Sequence, residues 1–325
     1  VQLREPQYVR LLPGAVRRAR GVPPGTLTPG RLEDGRDGAD AVMSTMALNE
    51  VRQQLTEGRI VPYLGPGLLD LVPACPVPAS PEALVEKLIA KASVPHKIRK
   101  NLTAAAQFIE NFKHRKTVTQ LMSEAFQADV APTLLHRYLA DLLELPLVVD
   151  VWYDNAMQTA LAARDSWGQV QGVSQAEHFG NWVQYFQADG ALVTEADAQH
   201  WSTVLYRPLG SVSPAKNYLV SDSDYVEVLT EIDIQTPIPA MVQRRRGGRH
   251  FLFLGCRFRN QLERTFARQI MKRSSDRHWA VLPGELTRNE ARFLAEQNIQ
   301  RLDLPLPEFV SAITAGSPAL RAAVV

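Results

Sequence analysis

The stretch Arg59-Ile60-Val61-Pro62-Tyr63-Leu64-Gly65-Pro66-Gly67 constrains the fold of this chain more than any other. A short apolar run closed by a glycine pair predicts a buried strand that enters a tight turn. In a nucleotide-binding βα unit, such a turn lets the backbone approach a pyrophosphate while the following helix offers its first amides to the anion. Glycine-x-glycine also follows apolar runs in many proteins that bind no nucleotide, so the motif needs support from elsewhere in the chain.

That support is an alternation of strand-like and helix-like segments from Arg59 onward, which predicts an α/β fold with a Rossmann-like, mainly parallel sheet flanked by helices. A first helix is predicted from Ala47 to Glu57. Ser80-Pro81-Glu82 starts the next, with Ser as N-cap, Pro at the first helical position and an acid in the first turn. Residues 96–144 read as almost wholly helical, with Leu134, Leu135, Tyr138, Leu139, Leu142 and Leu143 in one stripe, and predict a helical insertion between two strands. Pro146 to Val151 is the second strand, followed by a helix from Asp154 to Ala163. Residues 164–200 hold four glycines and no clear period, and read as irregular. Strands are predicted at Thr203–Tyr206, Tyr218–Val220, His250–Leu254, His278–Leu282 and Gln300–Leu304. Helices are expected after Ser221, from Asn260 to Lys272, from Thr287 to Gln297 and from Pro307.

Composition narrows the classes. With 325 residues, 45% hydrophobic and 22% charged, the chain has ordinary globular content, and no stretch approaches the roughly 18 apolar residues of a membrane span. The basic run Arg244-Arg245-Arg246 with Arg249 reads as a solvated surface, because a nucleic-acid face wants a broader basic field with interleaved aromatics. The two cysteines, Cys75 and Cys256, exclude a four-cysteine zinc module within the chain and predict free thiols. Together with the lack of a signal-like apolar segment, they point to a reducing cytoplasm. Residues 1–45, rich in Arg, Pro and Gly, are expected to be a disordered arm or an over-extended start. Residues 46–320 then form the folded domain.

Four separated pieces occur in order: Val61 to Gly67; Leu147-Val148-Val149-Asp150-Val151-Trp152-Tyr153-Asp154; Tyr206-Arg207-Pro208-Leu209-Gly210-Ser211 with Ser223-Asp224-Tyr225; and Phe251-Leu252-Phe253-Leu254-Gly255. In this order and spacing they resemble the sirtuin-like family, in its compact bacterial branch without a zinc module. The resemblance implies a Rossmann-like domain that binds NAD or ADP-ribose across the carboxyl ends of its strands. Active members cleave the bond between nicotinamide and ribose, with an Asn that orients the sugar or the attacking group and a His that acts as base. Carried over by position, the resemblance implies cofactor contacts at Gly65, Gly67, Tyr153, Asp154, Gly210, Ser211 and Gly255, and no metal; Arg257 joins them on its own chemistry, as a guanidinium beside a glycine turn that can bind a phosphate bidentately or form a surface salt bridge.

The chain departs from the family pattern where chemistry would occur. The family's glycine-alanine-glycine-x-serine turn is Gly65-Pro66-Gly67-Leu68-Leu69, so a proline removes one amide and Leu69 replaces the Ser. The Asn position holds Trp152 and the His position Leu209, neither of which can take a proton. Near the adenosine, glycine-x-serine becomes Gly255-Cys256-Arg257, and the following Asp is Asn260. These losses predict a catalytically degenerate domain that acts by nucleotide binding, by contact with a protein partner through residues 96–144, or both. Two alternatives stay open: an NAD hydrolase or deacylase with relocated groups, for which Asp154 and His200 are candidates, and a scaffold that holds no nucleotide.

Overall fold

The computed structural model describes residues 46–234 and 238–315. The expectation for residues 1–45 lies outside them, as does the far end of the predicted domain. The chain builds a nine-stranded sheet from β1 (Ile60–Leu64), β2 (Leu147–Asp150), β3 (Trp167–Gly172), β4 (Val183–Gln187), β5 (Leu192–Val193), β6 (Thr203–Arg207), β9 (His250–Leu254), β10 (His278–Val281) and β11 (Ile299–Leu302). A separate two-stranded ribbon pairs β7 (Gly210–Ser211) with β8 (Asn217–Tyr218). The sheet order is β11-β10-β9-β1-β2-β6-β3-β4-β5, parallel except where β4 pairs with β3 and β5. The mainly parallel α/β expectation holds.

The helices are α1 (46–56), α2 (Pro81–Lys91), α3 (Leu102–Lys113), α4 (Arg115–Phe126), α5 (Leu134–Asp141), α6 (Ala156–Leu161), α7 (Asp222–Ile234), α8 (Ala240–Arg246), α9 (Gln261–Met271), α10 (Arg288–Glu296) and α11 (Leu306–Thr314). Their starts are set by local chemistry. Ser80 accepts from the Ala83 amide at 3.1 Å with Pro81 at N1, and Asn260 and Thr287 close capping boxes with Glu263 and Glu290. Alternation along the strands divides the core in two. Val61, Tyr63, Val149, Tyr206, Phe251 and Phe253 pack with α2, α3, α4, α8 and α9 on one face. Ile60, Leu64, Val148, Leu205, Leu252 and Leu254 pack with α1, α5, α6 and α11 on the other.

The chain order sets the position of the site. From β1 the chain moves through β2 to β6 on one side, whereas β9 returns to the other flank of β1 and continues outward through β10 to β11. The direction reverses between β1 and β9, and in open α/β sheets a ligand crevice forms outside the carboxyl ends at such a reversal. Gly65 and Gly255 follow those two strand ends.

Three expectations are corrected. Residues 164–200 are not irregular: they supply β3, β4, β5 and a short 3-10 turn. Their period is hidden because β3 buries Gln169 and Gln171 where apolar residues would signal a strand, while Gly168 makes room for the Trp201 ring, 2.2 Å from where a Cβ would sit. The arginine run is not merely solvated. Arg246 is buried and donates to the Gln269 and Ile270 carbonyls; Arg245 donates to those of Pro146, Trp201 and Ser202, and Arg249 to that of Gly58. The stretch 96–144 is not one unit: α3 and α4 pack with each other and with α2, whereas α5 packs on α6 and α11.

Candidate functional site

β1 and β9 run in register, with Leu64 opposite Leu254, so their glycine turns meet. The Gly65 amide donates to the Leu254 carbonyl at 2.9 Å, the Gly67 amide to the Gly255 carbonyl at 2.9 Å, and the Leu68 amide to the Gly65 carbonyl at 3.2 Å. Pro66, between them, has no amide. Gly255 sits at φ +64°, and a Cβ there would lie 2.4 Å from the Leu68 nitrogen. A Cβ on Gly65 would lie 2.6 Å from the Gly255 carbonyl oxygen. Here glycine permits one turn to approach the other. The chain continues as a 3-10 helix, Pro66–Leu71, with Leu68 and Leu69 buried, so the residue at the family's Ser position belongs to the core.

The ends of β2 and β6 are filled by side chains. Trp152, at the Asn position, is 4% exposed; its indole nitrogen donates to the Pro78 carbonyl at 2.8 Å, and its ring lies 5.7 Å from Phe126 and 5.1 Å from Tyr153. Tyr153 donates its hydroxyl to the Leu219 carbonyl at 2.8 Å and sits edge-on to Tyr218; burial holds its phenol well above the usual range. Leu209, at the His position, is buried, and its carbonyl accepts from the Leu219 amide. Gly210, at φ +84°, opens the β7–β8 ribbon, where a Cβ would strike the Asn217 carbonyl oxygen at 2.1 Å. Ser211 is fully buried and accepts from the Ser213 amide.

Beneath this layer lies an ion pair whose role the sequence reading missed. Arg207 is completely buried, 3.5 Å from the Asp150 carboxylate, and donates to the Trp152 carbonyl at 2.9 Å and to that of Asp154. Burial pushes the Asp150 carboxyl up to about 7; Arg207 opposes this and Asp154 adds to it. Asp154 accepts from the Ala156 amide at 2.9 Å and so fixes the opening of α6. The available signal was charge inside apolar strand runs, at Asp150 and Arg207, since a buried ion demands a partner.

The remaining candidates are engaged elsewhere. Arg257 grips Glu290 through Nε at 2.9 Å and Nη2 at 3.3 Å, and donates to the Pro283 and Glu285 carbonyls, so its fork already holds a carboxylate. His200 is exposed in a 3-10 turn ahead of β6, whereas Asp154 follows the carboxyl end of β2, which runs parallel to β6. The two stand at opposite ends of the sheet. Asp224 is pinned by Arg115 at 2.8 Å, by the Ser174 and Ser221 hydroxyls, and by the Val220 and Ser221 amides, which ties α4 to the start of α7. Cys75 and Cys256 are free thiols; burial pushes both pKa values up, against any nucleophilic role. Among the described residues no group of three or more His, Cys, Asp and Glu side chains could hold a metal, and no helix is long and apolar enough to cross a membrane.

An NAD pyrophosphate asks for free amides at the first glycine turn and a cavity beside them. The amides at Gly65, Gly67 and Leu68 are paired within the protein, and the Asn and His positions carry buried apolar side chains. The residues present do not fit the group.

Strand order and turn placement define a Rossmann-like α/β domain with a mainly parallel sheet. Residues 146–302 match the SIR2-like domain, so this part of the chain is similar to the sirtuin-like family, whose members generally bind NAD. The match runs from the start of β2 to the end of β11 and does not include the turn after β1. No curated protein matches the chain.

Proposed function

We propose that this chain is a catalytically silent SIR2-like domain that acts as a binding module without cleaving NAD, its nucleotide crevice closed by its own backbone. The observation that carries this reading is the pairing of the Gly65, Gly67 and Leu68 amides inside the protein, with Pro66 between them. Trp152 and Leu209 support it, because they place apolar bulk where the family's chemistry needs an amide and an imidazole. The protein-binding surface we assign to the module is the helical part of residues 96–144, where Phe112 is 70% exposed and stacks on Phe108. The alternative of an enzyme with Asp154 and His200 as relocated groups has no support from their placement at opposite ends of the sheet. In our reading residues 46–320 act as one domain. Incubation of the full chain with NAD should release no nicotinamide above the buffer rate. Release that follows the protein through gel filtration and disappears in Asp154→Asn would overturn the reading.

A further inference from the structure

At the end of the sheet away from the glycine turns, three arginines gather over the amino ends of β1, β2, β6 and β9. Arg245 donates to the Pro146 carbonyl at 3.1 Å and the Ser202 carbonyl at 2.8 Å, just ahead of β2 and β6, and to that of Trp201. Arg249, just ahead of β9, donates to the Gly58 carbonyl at 2.8 Å and the Arg245 carbonyl at 2.7 Å, and Arg244 reaches the Gln199 side-chain oxygen at 2.6 Å. Every one of these acceptors is neutral. Arg115, Arg257 and Arg277 are each held by a carboxylate, whereas among the described residues no carboxylate pairs with Arg244, Arg245 or Arg249. Burial lowers the Arg245 pKa, and the like charges of Arg249 and Arg244 lower it further. The C-terminal dipole of α8 offsets only about half a charge. Donors also remain. Nε of Arg245 and Nη2 of Arg249 have no partner in the protein and stay open to solvent, and Arg244 is exposed with Nε and Nη1 unpaired.

We propose that this surface docks an acidic segment of a partner protein, whose closely spaced Asp or Glu carboxylates accept from Arg244, Arg245 and Arg249. A guanidinium fork matches a carboxylate in shape as well as charge. Because backbone carbonyls already fix Arg245 and Arg249, docking costs them little side-chain freedom. A nucleic-acid strand fits the surroundings less well. The cationic field is compact, and the adjacent Trp201 ring packs against Gly168 and so offers no face for a base. The surface uses other residues than Phe112 and lies at the opposite end of the sheet from Gly65 and Gly255, so it does not depend on whether that crevice holds NAD.

The test is fluorescence anisotropy of dye-labelled hexaglutamate titrated with the full chain. Saturable binding is expected with a midpoint of about 100 μM in about 50 mM salt, weakening about tenfold in about 300 mM salt. Arg244→Glu should weaken the midpoint about tenfold and Arg244→Gln about threefold. The control is Arg288→Glu, which changes the net charge equally at an exposed position opening α10, beyond the carboxyl end of β10, and should weaken it less than about twofold. Arg244 bonds only the Gln199 side chain, so both of its variants should keep the thermal midpoint of wild type. Labelled hexathymidylate should bind no more tightly than hexaglutamate. Binding of hexaglutamate that does not saturate, equal weakening by Arg244→Glu and Arg288→Glu, or tighter binding of hexathymidylate would overturn the proposal.

Discussion

The glycine crevice follows the carboxyl ends of β1 and β9, whereas the sheet face under α6 reaches the start of β3, and the two treat their polar groups in opposite ways. At the crevice the amides of Gly65, Gly67 and Leu68 meet a carbonyl. Under α6, Gln158, Trp167 and Gln169 each keep one buried polar atom without a partner in the protein. A site is defined by the hydrogen-bonding capacity left after folding, and a glycine motif in sequence does not report that quantity. By this measure the glycine turn after β1 is closed.

Substitutions can break this contrast in a graded way. The largest effect is expected at Trp152, which fills the Asn position and is bonded to Pro78. Trp152→Ala should cost about 4 kcal/mol through the cavity it leaves, read from the urea midpoint, and should not create NAD binding because the amides stay paired. Next comes Gly255, whose backbone is left-handed and whose missing side chain lets the turns touch. Gly255→Ala should cost about 3 kcal/mol, combining the conformation with the clash. Equal stability of this variant and wild type would show that the two turns do not need their close approach.

A smaller, pH-dependent effect belongs to Asp150. Burial pushes its carboxyl up to about 7, against about 3.9 in an unfolded chain. The native state thus keeps a proton that the unfolded state has released, and this contribution to stability falls as pH rises from about 4 to about 7. Glu263, pushed up to about 7 by burial, has the same sign. His136 and His278, held near about 4 by burial, work oppositely and cost stability as pH falls below about 6.5. Asp150→Asn removes only the first contribution. The stability of the variant relative to wild type should therefore rise between about pH 5 and pH 8, on the order of 2 kcal/mol. A difference that stays flat with pH would contradict the assignment.

The fold was legible wherever burial and period coincide. The apolar runs of β1, β2 and β9, the cap at Ser80 and the glycines after β1 and β9 are all readable, and they establish the parallel sheet. β3 was not, because Gln169 and Gln171 point into the protein, where only the tertiary structure can supply their partners. For the site, sequence located the glycine turns that meet after β1 and β9, while the positions of Trp152 and Leu209 in the family pattern rest on the resemblance alone. It could not reveal that Arg257 is held by Glu290, 33 positions later, or that Gly67 bonds Gly255 across two strands. Such commitments are long-range, and residue type carries no trace of them.

The most direct measurement of the central claim is isothermal titration of ADP-ribose into the full chain, since this ligand tests the pyrophosphate site without the chemistry. The closed crevice predicts no saturable heat at millimolar ligand. Saturable binding with a micromolar dissociation constant that Gly65→Ala abolishes, in a variant whose indole spectrum matches wild type, would contradict it.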